Sequence, residues 1–416
     1  MNLHRLFAGS PEGNDFLTAI TPSGGAVNQL RAARDEMRAT LRNAISQWER
    51  SIKAEDFLLL REGVQRPQLL RPRFRMQGSL AYGTLNDPAQ KPPQEMDLDD
   101  GLFLPVSFLA GNGQSHPALI SQGLFFVVEN ALEKLCQRKK GWTLDRSKPS
   151  CVRVCLPGHA HVDVALYSIP DAEFDELSRR MLKEATYDEQ GLEIHEWLYH
   201  QLPASQIMLA HRHDGWKPSD PRELENWFRK AISRHETRGE VLRRVCRYLK
   251  AWRDFQWREC KLSSIALMAC AVQTFDALAS ALPANRDDLA LEEVAKRLPE
   301  QLRHEIKNPV VDGQRLDEGW TPAMRQDYAS RAHEFAAAVT AAVHQAQTAT
   351  EAIQALQRVL GPRIPDDASL VRSDDEPRRS AATIEGAPAI LTSGLLRNKS
   401  KQPDPVIKQE RERRFA

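Results

Sequence analysis

A surplus of charge of either sign is missing: 57 Lys and Arg stand against 56 Asp and Glu in 416 residues. That balance excludes the strongly cationic surface that makes duplex nucleic acid a default partner, and it leaves a small anionic ligand open. Long apolar runs are missing too. Nothing approaches the roughly 18 uninterrupted apolar residues of a span, and the opening MNLHRLFAGSPEGNDF has no apolar core of signal-peptide length. Neither membrane spanning nor secretion is expected. The six cysteines, Cys136, Cys151, Cys155, Cys246, Cys260 and Cys270, contain no CxxC pair. Only Cys151 and Cys155 lie near histidines, His159 and His161, on strand-like pieces around a tight turn. A zinc site there is the lesser reading beside a reduced, cytoplasmic protein. No internal repeat is present.

What is there suffices for two or three packed domains, with 41% hydrophobic residues. From Val27, the residues Leu30, Met37, Leu41, Ile45, Trp48 and Ile52 form one stripe on a helix of roughly seven turns, long enough to bridge two domains. Arg61 to Arg75 is basic and proline-punctuated, a loop leading into a strand. Phe74 to Val106 alternates strand-like pieces with turns: FRMQGS, a turn through Tyr82-Gly83-Thr84, a polar Pro-rich loop, then MDLDDGLFLPV. A strand pair follows at 150–156 (SCVRVCL) and 160–168 (AHVDVALYS), joined by Pro157-Gly158. Beyond about residue 200 the pattern is helical: Arg222 to Arg234, Gly239 to Phe255, Ser264 to Leu282, and Met324 to Leu360. From Asp366 the chain is polar and proline-bearing, unable to offset the entropy of ordering. The expected class is α/β plus all-α. The expected limits are 1–60 with the long helix, 61–200 as the α/β catalytic core, 201–365 as a helical domain closing a cleft, and 366–416 as a flexible tail.

Chemistry concentrates in the front half. Asp97 and Asp99 alternate with Met96 and Leu98, so both carboxylates point to one face of a strand and can coordinate a hard cation such as Mg²⁺. Asp163 sits in the apolar strand HVDVAL, where an unpaired carboxylate would be costly. Upstream, Gly78-Ser79 closes a strand and opens a turn in which glycine lets the backbone approach phosphate oxygens and serine adds a hydroxyl and an amide. Asp100 is expected on the strand's other side, capping the next turn. Each piece alone is commonplace, since most Gly-Ser pairs are turns and most Asp-x-Asp pairs are solvated edges. Their order is what points to two-metal nucleotidyl transfer of the polymerase-β type, where one ion activates the attacking hydroxyl and the other neutralises the leaving pyrophosphate.

At these residues the sequence resembles the cGAS/DncV-like nucleotidyltransferases, most of all their cyclic GMP-AMP synthase branch. QGSLAYGTL from Gln77, MDLDDG from Met96 and the KPPQ loop between them carry the resemblance; RYLKAWRDF, KLSSIALM and NPVVDGQRLDEGW extend it into the helical half. Seventeen residues separate Ser79 from Asp97, more than in much of the wider superfamily, but NDPAQKPPQE has loop composition and can bulge over the cleft. The resemblance implies a polymerase-β-like nucleotidyltransferase core, and ATP and GTP joined by two metal-assisted transfers to 3′,3′-cyclic GMP-AMP in CBASS antiphage defence. It implies two Mg²⁺ ions, with Mn²⁺ as substitute. Asp97 and Asp99 would hold the nucleotide-bound ion, and Asp163 with both would hold the catalytic one. It further implies nucleotide contacts from Gln77, Gly78, Ser79 and Tyr82, and from Lys250, Ser264 and Asp312 of the helical half. Ser264 also suits a helix N-cap with Ser263, and Asp312 a turn before Gly313. Partners implied are a cyclic-nucleotide-activated effector and a ubiquitin-like conjugating enzyme acting on the tail, which ends after the basic run Arg411 to Arg414 in Phe415-Ala416.

Arg34, Arg38 and Arg42 recur every four residues on the long helix, which is destabilising unless something anionic or acidic faces them. A bound anion or regulatory ligand is one answer, and a solvated face is the plainer one. Two other functions stay open: a nucleotidyltransferase that modifies protein or RNA, and a catalytically silent nucleotide sensor or scaffold. The intact carboxylate trio argues against the second, because mutually repelling acids have no reason to persist without a cation.

Overall fold

The computed structural model describes residues 1–56, 72–105, 117–169, 207–219, 221–278, 283 and 285–373. Most of the basic loop from Arg61, the domain limit at 200, the helix end at Leu282 and the last residues through Arg411 to Arg414 and Ala416 lie outside them. Seven strands form one mixed sheet: β1 Arg73–Gln77, β2 Met96–Pro105, β3 Thr143–Asp145, β4 Cys151–Leu156, β5 Ala160–Ile169, β6 Met208–His211 and β7 Gly215–Pro218. The order is β1-β2-β5-β4-β3, with β6 pairing β5 and β7 pairing β6. β2 and β5 run parallel and the other pairs antiparallel.

Alternation decides which face is buried. In β4, Val152, Val154 and Leu156 are buried while Cys151, Arg153 and Cys155 are half-buried. Those valines join Leu98, Leu102, Val162 and Val164 under two helices. One is the long Gly24–Asp56 helix, through Leu30, Met37, Leu41 and Ile45; the other is Pro117–Arg138, through Leu124, Val128 and Leu132. Each such side chain contributes about 1.5–3 kcal/mol on burial. The second helix gives little periodic signal in the sequence, because its run LFFVV is apolar on several sides and leaves Phe126 66% exposed. The opposite sheet face is left for polar groups.

A second apolar core lies in the helical half, around the Gly239–Gln256 helix. Trp252 stacks on Phe335 with centroids 5.2 Å apart, and Tyr248 meets Phe7 at 5.2 Å and Phe16 at 5.7 Å. Leu3, Leu6, Phe7, Phe16 and Ile20 thus pack in the helical core while the helix that follows them packs on the sheet, so the first 56 residues serve both. Residues 1–373 form one compact unit containing both cores. Met324 to Leu360 is not one helix as expected. Pro322–Thr340 passes through a π turn, and a new helix starts at Ala349. Thr348 stops it from being continuous: its hydroxyl accepts the Glu351 amide while the Glu351 carboxylate accepts the Gln347 amide, a reciprocal cap. Packing also continues past Asp366, where Leu370 is buried and Arg372 pairs with Asn2 as a β-bridge. Among the described residues no helix is long and apolar enough to cross a membrane.

Candidate active site

Strand register builds two rows of side chains on the polar face. Gln77 of β1 lies opposite Asp99 of β2, Asp99 opposite Asp163 of β5, and Asp163 opposite Arg153 of β4. One step along, Asp97 lies opposite His161, and His161 opposite Cys155. The three carboxylates expected to act together therefore come together, with Gln77 beside them. Tyr167 stacks on Phe103 at 4.9 Å and donates its hydroxyl to Gln77 Oε1 over 3.2 Å, fixing the amide from behind.

Two glycines make the geometry sterically feasible. Gly78 has φ +66°, and a Cβ built there would stand 1.7 Å from Asp99 Oδ2. A Cβ on Gly101 would stand 2.1 Å from Gln77 Nε2. Gly78 and Ser79 begin a single helical turn, Gly78–Ala81, rather than an open turn, and the Ser79 carbonyl accepts the Thr84 amide at 2.8 Å. Tyr82 ends that turn against Phe228, with burial and then the Glu225 and Asp99 charges pushing its phenol well above the ordinary range.

Burial, then the charges of Asp97 and Asp163, push the Asp99 carboxyl well above the usual carboxylate range. Asp163 is gripped by Arg153, Nε to Oδ1 and Nη2 to Oδ2, both at 2.7 Å. His161 is 6% exposed; its Nδ1 is 2.7 Å from Glu95 Oε2 and its Nε2 is 3.0 Å from Asp97 Oδ1. That contact is an ion pair when the ring is protonated, and its angle departs from hydrogen-bond geometry. Burial lowers the imidazole's proton affinity, but the adjoining Asp97 charge outweighs it and leaves the affinity raised. Three close carboxylates, one pushed up by its neighbours, and two buried atoms without hydrogen bonds fit a divalent cation, whose charge would relieve all of them. Atoms of Asp97, His161 and Asp163 lie within 4.8 Å of one another.

Arg153 and Glu95 were not anticipated, and His161 was anticipated only as a zinc candidate. The signal for Arg153 is in the hairpin: the turn after Leu156 pairs Leu156 with Ala160, and counting back three places Arg153 opposite Asp163. The four zinc candidates, Cys151, Cys155, His159 and His161, form no metal-ligating group among the described residues, and all six cysteines are free. His161 turns instead toward Glu95 and Asp97.

The loop from Thr84 to Gln94 does not bulge over the cleft. It lies on the Gly239–Gln256 helix, where Asn86 exchanges hydrogen bonds with the Arg247 carbonyl and guanidinium, Gln90 donates to the Asp254 and Phe255 carbonyls, and Gln94 donates to those of Asp254 and Trp257. Lys250, buried in that helix, donates to the Thr84 carbonyl at 2.7 Å; burial, reinforced by Arg253, pushes its ammonium down to about 8. Arg253 donates to the Ser264 hydroxyl at 2.9 Å, and the cap of that helix is Ser263, whose hydroxyl accepts the Ala266 amide. Asp312 is exposed in the turn before Gly313, at φ +76°. No described contact joins Ser264 or Asp312 to the carboxylates. On the opposite sheet face Asp100 lies within β2. It takes Arg38 in a fork, Nε to Oδ2 at 2.8 Å and Nη2 to Oδ1 at 2.5 Å, the acidic partner that the arginine ladder called for. Arg34 pairs with Asp35 and touches Met76 Sδ, and Arg42 follows one turn beyond Arg38.

A mixed sheet presenting three carboxylates from two parallel neighbours, beside a Gly-Ser turn and joined to a helical half, is the architecture of a nucleotidyltransferase. Residues 72–167 match the family model "Cyclic GMP-AMP synthase DncV-like, nucleotidyltransferase domain", and 239–373 match "Cyclic GMP-AMP synthase, C-terminal domain". A cyclic GMP-AMP synthase of Escherichia coli is 30% identical over 349 residues, covering 81% of this chain and 74% of that one. One from Vibrio cholerae is 34% identical over 253 residues, covering 58% of this chain and only 55% of that protein's length. The Vibrio cholerae DncV structure with the linear intermediate 5′ pppA(3′,5′)pG superposes with a TM-score of 0.73 at 25% identity, and the one with GTP and 5MTHFGLU2 with 0.74 at 26%; each covers 89% of this chain and 99% of the other. The chain belongs to the DncV-like cyclic GMP-AMP synthase family.

Proposed function

We propose that this protein joins ATP and GTP into a cyclic dinucleotide, 3′,3′-cyclic GMP-AMP, as a second messenger of CBASS antiphage defence. The observation that carries the reading is the cross-strand row Gln77, Asp99, Asp163, Arg153, which sets acids and a cation side by side at the Gly78-Ser79 turn. Asp97, Asp99 and Asp163 would hold the divalent ions, Mg²⁺ or Mn²⁺, which when bound supply charge neutralisation at the phosphates and an acidified attacking hydroxyl. The chain's own groups do the positioning. Gly78, having no Cβ, admits the Asp99 carboxylate against the turn that would cradle a phosphate, and Ser79 offers that phosphate a hydroxyl. Tyr82 and Gln77 border the nucleotide, and Lys250 holds the loop that connects Ser79 to Asp97 while adding positive charge behind it. Each of two successive steps forms a bond from a ribose 3′ oxygen to an α-phosphorus and breaks the bond to pyrophosphate; the linear product of the first is the substrate of the second. A relative has been captured with such a linear intermediate.

We assign the division of labour as 61–200 for catalysis and 201–365 for closing the cleft, through Ser264 and Asp312, with 1–60 spanning both; of 366–416, the residues to Ser373 pack with the helical half and those from Asp374 serve as the tail offered to a conjugating enzyme. Arg34 and Arg42 flank the Arg38–Asp100 pair and would hold an anionic regulator. Incubating the purified protein with Mg²⁺ and all four ribonucleotides, then weighing the products, tests the reading. The expected product has the mass of cyclic GMP-AMP and is absent with Asp99→Asn or Asp163→Asn. Label in macromolecules alone, or full activity in either variant, would overturn it.

A further inference from the structure

The buried imidazole of His161 is unused by the carboxylate chemistry just described. Its Nδ1 lies 2.7 Å from Glu95 Oε2, so the hydrogen on Nδ1 is directed to that carboxylate and the Nε2 lone pair is presented on the other side of the ring. That lone pair faces Asp97 Oδ1 at 3.0 Å, without a hydrogen bond, in a residue 6% exposed. With the ring neutral, two buried acceptors face each other; a second ring proton pairing with Asp97 satisfies both when no metal is bound, and a cation taking that proton's place satisfies both when one is. The Asp163 carboxylate completes a triangle of ligand atoms within 4.8 Å, a spread that one ion can touch. Glu95 meets one ring nitrogen and Asp97 the other, the arrangement in which a carboxylate orients a metal-binding histidine through its second nitrogen.

We infer that His161 Nε2 is a nitrogen ligand in the metal site, with Glu95 orienting it, so that the site takes an imidazole-accepting ion such as Mn²⁺ in preference to all-oxygen Mg²⁺. The inference rests on Asp97 and Asp163 being metal ligands. Register makes it specific: His161 is opposite Asp97 just as Asp163 is opposite Asp99, so the parallel pair β2 and β5 delivers four donor side chains to one face. Imidazole binds first-row transition ions better than it binds Mg²⁺. Removing the nitrogen therefore costs Mn²⁺ affinity selectively, and removing the orienting carboxylate costs less.

The test is Mn²⁺ binding to the full chain without nucleotide, read by electron paramagnetic resonance, with electron spin echo modulation reporting ¹⁴N coupled to the bound ion. Wild type is expected to show ¹⁴N modulation. His161→Gln should lose it and weaken Mn²⁺ binding by about 10–100-fold, Glu95→Gln by about 10-fold, with Mg²⁺ competition changing less than about 3-fold in either. Circular dichroism and the unfolding midpoint establish that both variants fold; if His161→Gln does not, ¹⁴N modulation in wild type and Glu95→Gln still decides. Mn²⁺ bound without ¹⁴N coupling overturns the inference and leaves the carboxylate reading intact. Mn²⁺ affinity unchanged in Asp97→Asn and Asp163→Asn, or no Mn²⁺ binding by wild type, overturns both.

Discussion

Arg38 and Asp100 are 5% and 1% exposed, and each is the other's forked partner across the long helix and β2. Arg38→Ala takes the forked guanidinium away from a buried carboxylate, so it should destabilise the fold by about 3–5 kcal/mol in urea unfolding. Gly78 is constrained from two directions, by its positive φ and by Asp99 Oδ2. Gly78→Ala should push Asp99 aside and lower the rate of dinucleotide formation by about 100-fold or more, with a smaller change in unfolding midpoint. Lys250 carries a pH signature. Its folded value is about 8 against an ordinary 10.5, so between those values the unfolded chain holds a proton that the folded chain lacks, and stability rises with pH. The unfolding free energy of wild type minus that of Lys250→Met should climb by roughly 2–3 kcal/mol across that window. A flat difference would remove the buried-lysine argument.

At the scale of elements, the loop from Thr84 to Gln94 is the link between Ser79 and the two strand carboxylates. Its composition reads as a projecting loop, and nothing local indicates that helix carbonyls far along the chain satisfy Asn86, Gln90 and Gln94. The Asp254, Phe255 and Trp257 carbonyls are free to accept because they lie at the end of the Gly239–Gln256 helix, where intrahelical partners run out, whereas the Arg247 carbonyl accepts Asn86 from mid-helix. The break between Pro322–Thr340 and Ala349–Leu360 was legible in principle, since Thr348 and Glu351 have capping-box spacing; the alanine-rich run hid it by favouring helix on both sides. Thr348→Ala should cost about 1 kcal/mol in urea unfolding. It lies in a helix distant in sequence from the carboxylates, so dinucleotide formation by the folded protein is expected to stay within about 2-fold of wild type.

For the whole molecule, the sheet concentrates negative charge where a cation is needed, and the metal-free fold bears the repulsion. Asp99→Asn removes a carboxylate that burial and two neighbours disfavour, so the metal-free variant should melt above metal-free wild type while forming no product. Added Mn²⁺ should raise the melting temperature of wild type and do so much less for the variant. Strand periodicity by itself determined much of this: the shared face of Asp97 and Asp99, the buried strand around Asp163, the long helix, and the change from α/β to helical all follow from spacings of two, three and four along the chain. Even Arg153 opposite Asp163 is implied by a tight hairpin. Tertiary structure alone decided the rest. That β5 lies parallel beside β2, bringing His161 to Asp97, and that Arg38 meets Asp100, follow from contacts between residues 62 and 64 positions apart, where local propensity carries no information and only joint burial of both partners selects the pairing.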